Sequence, residues 1–316
     1  MVEMFSNLHR LIILLAALNY SGITFAKERE VCDFKLLQTA LSKTLKLNLI
    51  PEKPEFGKPD SVISINCKTL PNDANLLITA INYEKEAPSN SGSPTTSHND
   101  SINFALALID KGKRRVHRIY TSSLEQDATT RFDYGWIIDT AAYQLSPDVR
   151  AFAIKGGSSG YRCQHDGGIS NEFQLFAYVS GKLQRLYEGG YISRMQKYRV
   201  SGSPCSFNDQ KSTEIHHSID LVFSIAPAFS QGLKDIHVFA KVKSYWEMDE
   251  DYDKEFRAKM RMDLTLPKDQ HIHVDTLRFN GTTYVGDTDK KIDEIFAERS
   301  KISEKFIKRA AQVFPR

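Results

Sequence analysis

The sequence predicts a mainly β protein, α+β overall, with antiparallel β-sandwich-like sheets flanked by an N-terminal and a C-terminal helix. Three observations predict it. Short apolar runs follow one another through the middle of the chain, joined by Gly/Lys or Asn-Gly turns. Helical periodicity is confined to the two ends. Strands and helices do not alternate as they do in a parallel α/β enzyme.

The elements follow in order. Val31, Phe34, Leu37, Leu41 and Leu45 recur at steps of three and four, predicting a helix over 31–47 that Pro51 and Pro54 end. Residues 62–67 and 76–83 read as strands, and the Pro/Gly/Ser-rich stretch 87–101 as a surface loop. Residues 102–109 turn through Asp110-Lys111-Gly112-Lys113 into 116–120. Residues 173–179 turn through Ser180-Gly181-Lys182 into 183–187. The two hairpins share a pattern and are expected as neighbours in one sheet. Residues 134–139 and 149–155 are strands between them, and 196–214 is a polar or helical stretch. Strands resume at 219–225, 236–242, 261–266 and 271–279, before a turn at Asn280-Gly281. From 289 to 314 the period becomes helical, with Arg299 interrupting the apolar stripe. The expected organisation is a signal peptide over 1–26, an N-terminal helical segment over 27–58, a β-rich domain over 59–195, and a second β-rich region over 212–316 ending in a helix.

The 316 residues carry 42 Lys+Arg against 39 Asp+Glu, a net charge of +3, and are 41% hydrophobic. This excludes a disordered chain, a collagen and a cysteine-dense scaffold. The near balance offers no basic excess, so no nucleic-acid partner is expected. His9 and Arg10 precede an apolar run over 11–18, and Thr24-Phe25-Ala26 leads into charged residues 27–30. This is the layout of a secretory signal peptide cleaved after Ala26. Its apolar core is too short for a bilayer span of about 20 residues. The mature chain is expected to lack a transmembrane segment and to be periplasmic or secreted. Cys32, Cys67, Cys163 and Cys205 all follow the cleavage point. An even count in an exported chain predicts disulfide bonds, with Cys32–Cys67 and Cys163–Cys205 favoured as sequence neighbours. A zinc site of four cysteines lacks its CxxC knuckle.

Four stretches could carry chemistry. Gly156-Gly157-Ser158-Ser159-Gly160 matches the nucleophile-elbow pattern, but the residues after it are not helix-forming. It reads as a glycine loop beside Cys163. In His271-Ile272-His273-Val274-Asp275, strand alternation puts His271, His273 and Asp275 on one face, a plausible zinc set. The stretch partly resembles the H-x-H-x-D-H motif of metallo-β-lactamase-like hydrolases, with Thr276 where that motif has His. The acidic run 247–253 fails the calcium-loop pattern, with Lys254 where Gly is needed, and reads as a solvated loop. Lys111, Lys113, Arg114, Arg115 and Arg118 cluster on a predicted turn and suit an anion or partner contact.

Residues 138–154 and 173–186 together resemble segments of exported, β-rich bacterial proteins of unknown function: a strand, a short Pro turn and a second strand. The resemblance implies export and β structure and brings no catalytic residues with it. The leading expectation is an exported, non-enzymatic binding or envelope-associated protein that needs no cofactor. Its partner would be a protein, a glycan or another envelope component. The alternatives are a zinc-dependent hydrolase built on His271, His273 and Asp275, and a structural envelope protein that assembles through its C-terminal helix.

Overall fold

The structure, a computed structural model, describes residues 32–47, 62–83, 101–125, 136–158, 170–201, 213–248, 250–260 and 265–314. The predicted signal peptide, Cys163 and Cys205 lie outside the described residues. Helix α1 (Phe34–Leu45) starts at Asp33, whose side chain accepts a hydrogen bond from the Leu36 N–H at 3.1 Å. It ends before either proline, because Lys46 turns left-handed at φ 57° and the Leu47 N–H reaches the Ser42 carbonyl at 3.1 Å. Leu36, Leu37, Ala40 and Leu41 form its buried face.

A four-stranded antiparallel sheet runs β1 (Val62–Leu70), β2 (Asp73–Tyr83), β3 (Ser101–Asp110) and β4 (Arg115–Glu125), in that order. An eight-stranded antiparallel sheet follows. In sequence order its strands are β5 (Trp136–Gln144), β6 (Arg150–Ser158), β7 (Ser170–Val179), β8 (Lys182–Ser201), β9 (Thr213–Ser230), β10 (Leu233–Met248), β11 (Gln270–Phe279) and β12 (Tyr284–Val285), and each pairs with the next. The expected hairpin neighbours therefore sit in two sheets. They do meet across the gap: Arg118 of β4 donates to the Gly181 carbonyl, and its guanidinium lies 5.9 Å from the Tyr178 ring. The change of sheet falls between β4 and β5. Residue 195, where the sequence suggests that the first β-rich domain ends, lies within β8, and β8 pairs with β9 from Ser193↔Asp220 to Ser201↔Thr213.

Alternation sorts the apolar side chains into layers. One face of the small sheet packs against α1 through Ile81, Ala105, Ala107 and Ile109. The other presents Ile78, Phe104 and Leu106 to Trp136, Ile154 and Phe176 of the large sheet. A polar clasp fixes this contact: Trp136 Nε1 donates to Asn82 Oδ1 at 2.8 Å, and Asn66 Nδ2 donates to the Trp136 carbonyl at 2.9 Å. The indole lies over Gly156, where an added Cβ would meet its ring at 2.4 Å. This close approach accounts for the first glycine of the elbow-like motif. Ser158 belongs to β6, and residues 159–169 lie outside the described residues.

The inner face of the large sheet curls over a second core. The Phe173 and Phe223 rings stack at 4.1 Å, although β8 separates their strands, and the Lys234 N–H bonds the Leu145 carbonyl. Helix α3 (Thr288–Val313) covers this face with Ile292, Phe296, Phe306 and Ala310. Helix α2 (Glu250–Met260) replaces the expected acidic loop. Phe256 and Met260, one turn apart, bury with Phe306 and Ala310, and acidic residues suit a helix start. Of the strand expected at 261–266, residues 265–266 have no regular structure and the rest lie outside the described residues. Among the described residues no helix is long and apolar enough to cross a membrane.

Cys32 and Cys67 are joined by a disulfide at a sequence separation of 35, fixing the chain just ahead of the Asp33 cap of α1 to the middle of β1. Replacing both by Ala should lower the unfolding free energy by about 3 kcal/mol. Denaturant titration under oxidising conditions checks this, and an unchanged midpoint would show that the bond contributes nothing.

Candidate functional site

The His271–Asp275 stretch lies on β11, where one extra residue decides its geometry. His271 pairs with Lys241 and His273 with Phe239, but Asp275 pairs with Val238. Val274 is the added residue of a β-bulge, so the alternation slips. His271 and His273 stay on the exposed outer face, whereas Asp275 is buried, 7% exposed, on the inner face. The structure thus separates the carboxylate from the two imidazoles, and the zinc set expected from simple alternation does not assemble.

Asp275 instead seats α3. Its Oδ2 accepts from the Asp287 N–H at 2.6 Å and the Thr288 hydroxyl at 3.0 Å, and its Oδ1 accepts from the Thr276 N–H at 2.8 Å. Lys291 approaches at 3.4 Å. Asp287 makes no side-chain capping bond of its own; Asp275 ties the N–H of this cap residue and the Thr288 hydroxyl to β11, and its negative charge suits the helix N-terminus. Burial alone would raise the Asp275 pKa, but these donors and Lys291 outweigh it and hold the carboxyl below its ordinary value. Gly286 lets the chain pass, since a Cβ there would lie 2.5 Å from Asp275 Oδ2. A cleft of about 350 Å³ lined by Tyr187, Glu188, Tyr284 and Thr288 opens beside this junction.

On the outer face, β9, β10 and β11 carry an exposed aromatic and imidazole patch. Val222 and Phe239 pair across the strands and are 44% and 38% exposed. The His273 ring lies 5.3 Å from both Phe239 and His237. The Thr276 hydroxyl is 3.1 Å from His273 Nε2 and 3.1 Å from His237 Nδ1, and fixes both rings. His271 and Lys241 continue the patch along the same strands.

The same face carries a second cluster near the other end of β9 and β10. Glu214 and His216 are two residues apart on β9, and Glu247 pairs with Glu214 from β10. His216 Nε2 lies 3.2 Å from Glu214 Oε2 and 2.8 Å from Glu247 Oε2. Arg199 grips Glu214 Oε1 through Nε at 3.1 Å and Nη2 at 2.7 Å. The His216 ring is 1% exposed beneath Tyr245, whose ring centroid is 5.0 Å away. Burial lowers the His216 pKa and Lys197 adds to this, although Glu247 and Glu214 oppose it. Sequence reading missed the cluster because it depends on the β9–β10 register. The signal within reach was the Glu-x-His spacing of Glu214 and His216, which falls ahead of the strand expected from 219.

The inner face holds a buried polar network against α3. His217 Nδ1 is 2.8 Å from the Ser244 hydroxyl, and its Nε2 is 2.8 Å from the Ser303 hydroxyl. Arg299 donates to Ser244 at 3.2 Å and to Gln270 at 3.0 Å. The residue that interrupts the apolar stripe is therefore a buried anchor. Burial, reinforced by the Arg299 charge, pushes the His217 pKa down to about 4.

The basic hairpin is partly committed to the fold. Lys111 donates to Thr69 at 2.6 Å, Lys113 pairs with Asp110 at 3.7 Å, and Arg118 holds the neighbouring hairpin. Arg114 and Arg115 remain exposed at the turn.

Comparison with family models, curated proteins and solved structures finds no match to the chain.

Two predictions follow from the inner-face contacts. Asp275→Ala removes three accepted hydrogen bonds and should destabilise the protein by about 3 kcal/mol. The folded carboxyl is depressed relative to the unfolded one, so its contribution is present above the unfolded pKa of about 4 and is lost as pH falls further. Urea titrations of wild type and variant should converge on acidification below that value. For His217 the folded value near 4 lies below the unfolded value of about 6.5, so the unfolded chain binds the proton first. Stability should be complete above about pH 6.5 and fall by about 3 kcal/mol towards pH 4. His217→Gln should flatten the loss within that window, and an unchanged slope would assign it to other groups.

Proposed function

We propose that this chain is an exported, non-enzymatic binding protein of the cell envelope, periplasmic in a Gram-negative host, that recognises a glycan with the outer face of β9–β11. The observation that carries the reading is the exposed Phe239 ring beside His273 and His237, in a surface that neither the small sheet nor α3 covers. An exposed aromatic face flanked by imidazole and hydroxyl groups suits a saccharide, which presents apolar C–H faces edged with hydroxyls. The Cys32–Cys67 bond and the leader-like sequence over 1–26 support export. The apolar stripe of α3 is buried within the chain, which argues against assembly through that helix.

Mature protein should co-sediment with insoluble envelope polysaccharide. Phe239→Ala removes an aromatic contact of about 1–1.5 kcal/mol and should weaken retention roughly tenfold, with the melting temperature nearly unchanged. Absence of retention, or equal retention by wild type and variant, counts against the proposal.

A further inference from the structure

We infer that Glu214, His216 and Glu247 form a binding site for one divalent first-row transition ion, zinc by preference. The three side chains share one face of the β9–β10 ladder, and their ligand atoms lie within 4.8 Å of one another. One imidazole nitrogen with two carboxylate oxygens is a donor set that suits zinc. Ligands at about 2.0–2.2 Å from a tetrahedral ion stand about 3.3–3.6 Å apart. The His216–Glu214 separation of 3.2 Å is near that spacing, and the shorter His216–Glu247 separation of 2.8 Å can widen because the Glu247 side chain is exposed.

The charges around the ring point the same way. A neutral imidazole has a single N–H, which cannot serve two carboxylates equally. An ion takes the Nε2 lone pair and one oxygen from each glutamate, so both carboxylates are served and the ring proton stays on Nδ1. The other ring nitrogen, Nδ1, is buried without a hydrogen-bond partner among the described residues, so the polar contacts of this ring are concentrated on Nε2. Arg199 holds Oε1 of Glu214 and leaves Oε2 aimed at the imidazole, as a supporting residue orients a metal-binding carboxylate. Three protein ligands leave a further position for water or an incoming donor group.

The site lies on the same face as the proposed glycan surface but does not include Phe239, His237 or His273, so each can fail without the other. The test is equilibrium dialysis of untagged mature protein, first stripped with chelator, against zinc chloride. The expected result is one saturable ion per chain. Glu247→Gln should weaken binding roughly tenfold or more, and His216→Gln should do the same. The double substitution His271→Gln with His273→Gln should leave affinity unchanged. Glu247 has a 65% exposed side chain, so its variant retains the fold and decides the matter even if the buried His216 substitution unfolds the protein. Absence of saturable zinc, zinc affinity unaffected by Glu247→Gln, or zinc lost with the His271 and His273 substitutions would each overturn the assignment.

Discussion

The carboxylate of Asp275 is the contact on which the C-terminal half of the molecule turns. It reaches from β11 to the start of α3 and accepts from Asp287 and Thr288 there. That bond sets where the helix begins. The start in turn fixes which residues meet the sheet: Ile292 and Phe296 close the inner core, while Arg299 and Ser303 meet Ser244 and His217. A negative charge at this point also suits the positive end of the helix. The bulge at Val274 puts the carboxylate on the side where the helix starts.

The two faces of β9 and β10 divide the chemistry between them. The inner face is closed by α3 and holds a neutral imidazole between two hydroxyls, a structural arrangement. The outer face keeps its imidazoles next to aromatic rings or carboxylates, with His273 exposed and His216 covered by Tyr245. His216 and His217 are adjacent in the chain yet belong to different environments, because successive strand residues point to opposite sides. A histidine pair in sequence is thus two unrelated sites in space.

Much of the fold was legible because it rests on local signals. The apolar spacing of Phe34, Leu37 and Leu41 marks a helix, and Lys111-Gly112 and Ser180-Gly181 mark turns, without reference to the rest of the chain. The Cys32–Cys67 bond was anticipated from order along the chain, and the structure forms it. What stayed hidden depends on register. No composition rule reveals that Val274 is an added residue, and with it the expected zinc set comes apart. Nor does the sequence show that Glu247 sits opposite Glu214, since that needs the full β9–β10 pairing. Arg299 looked like a fault in an apolar stripe because its partners, Ser244 and Gln270, come from distant strands.

The link between Cys32 and Cys67 also has a topological consequence. It closes a covalent ring that contains α1 and the whole connection from Leu47 to Val62. A protease that cuts once within that connection opens the ring without releasing the helix. The two pieces stay joined through sulfur, and α1 keeps its place on the small sheet. Such a nick would be silent on a non-reducing gel and would appear only after a thiol is added. Reduction then separates from the body of the protein a fragment that carries one whole layer of the fold.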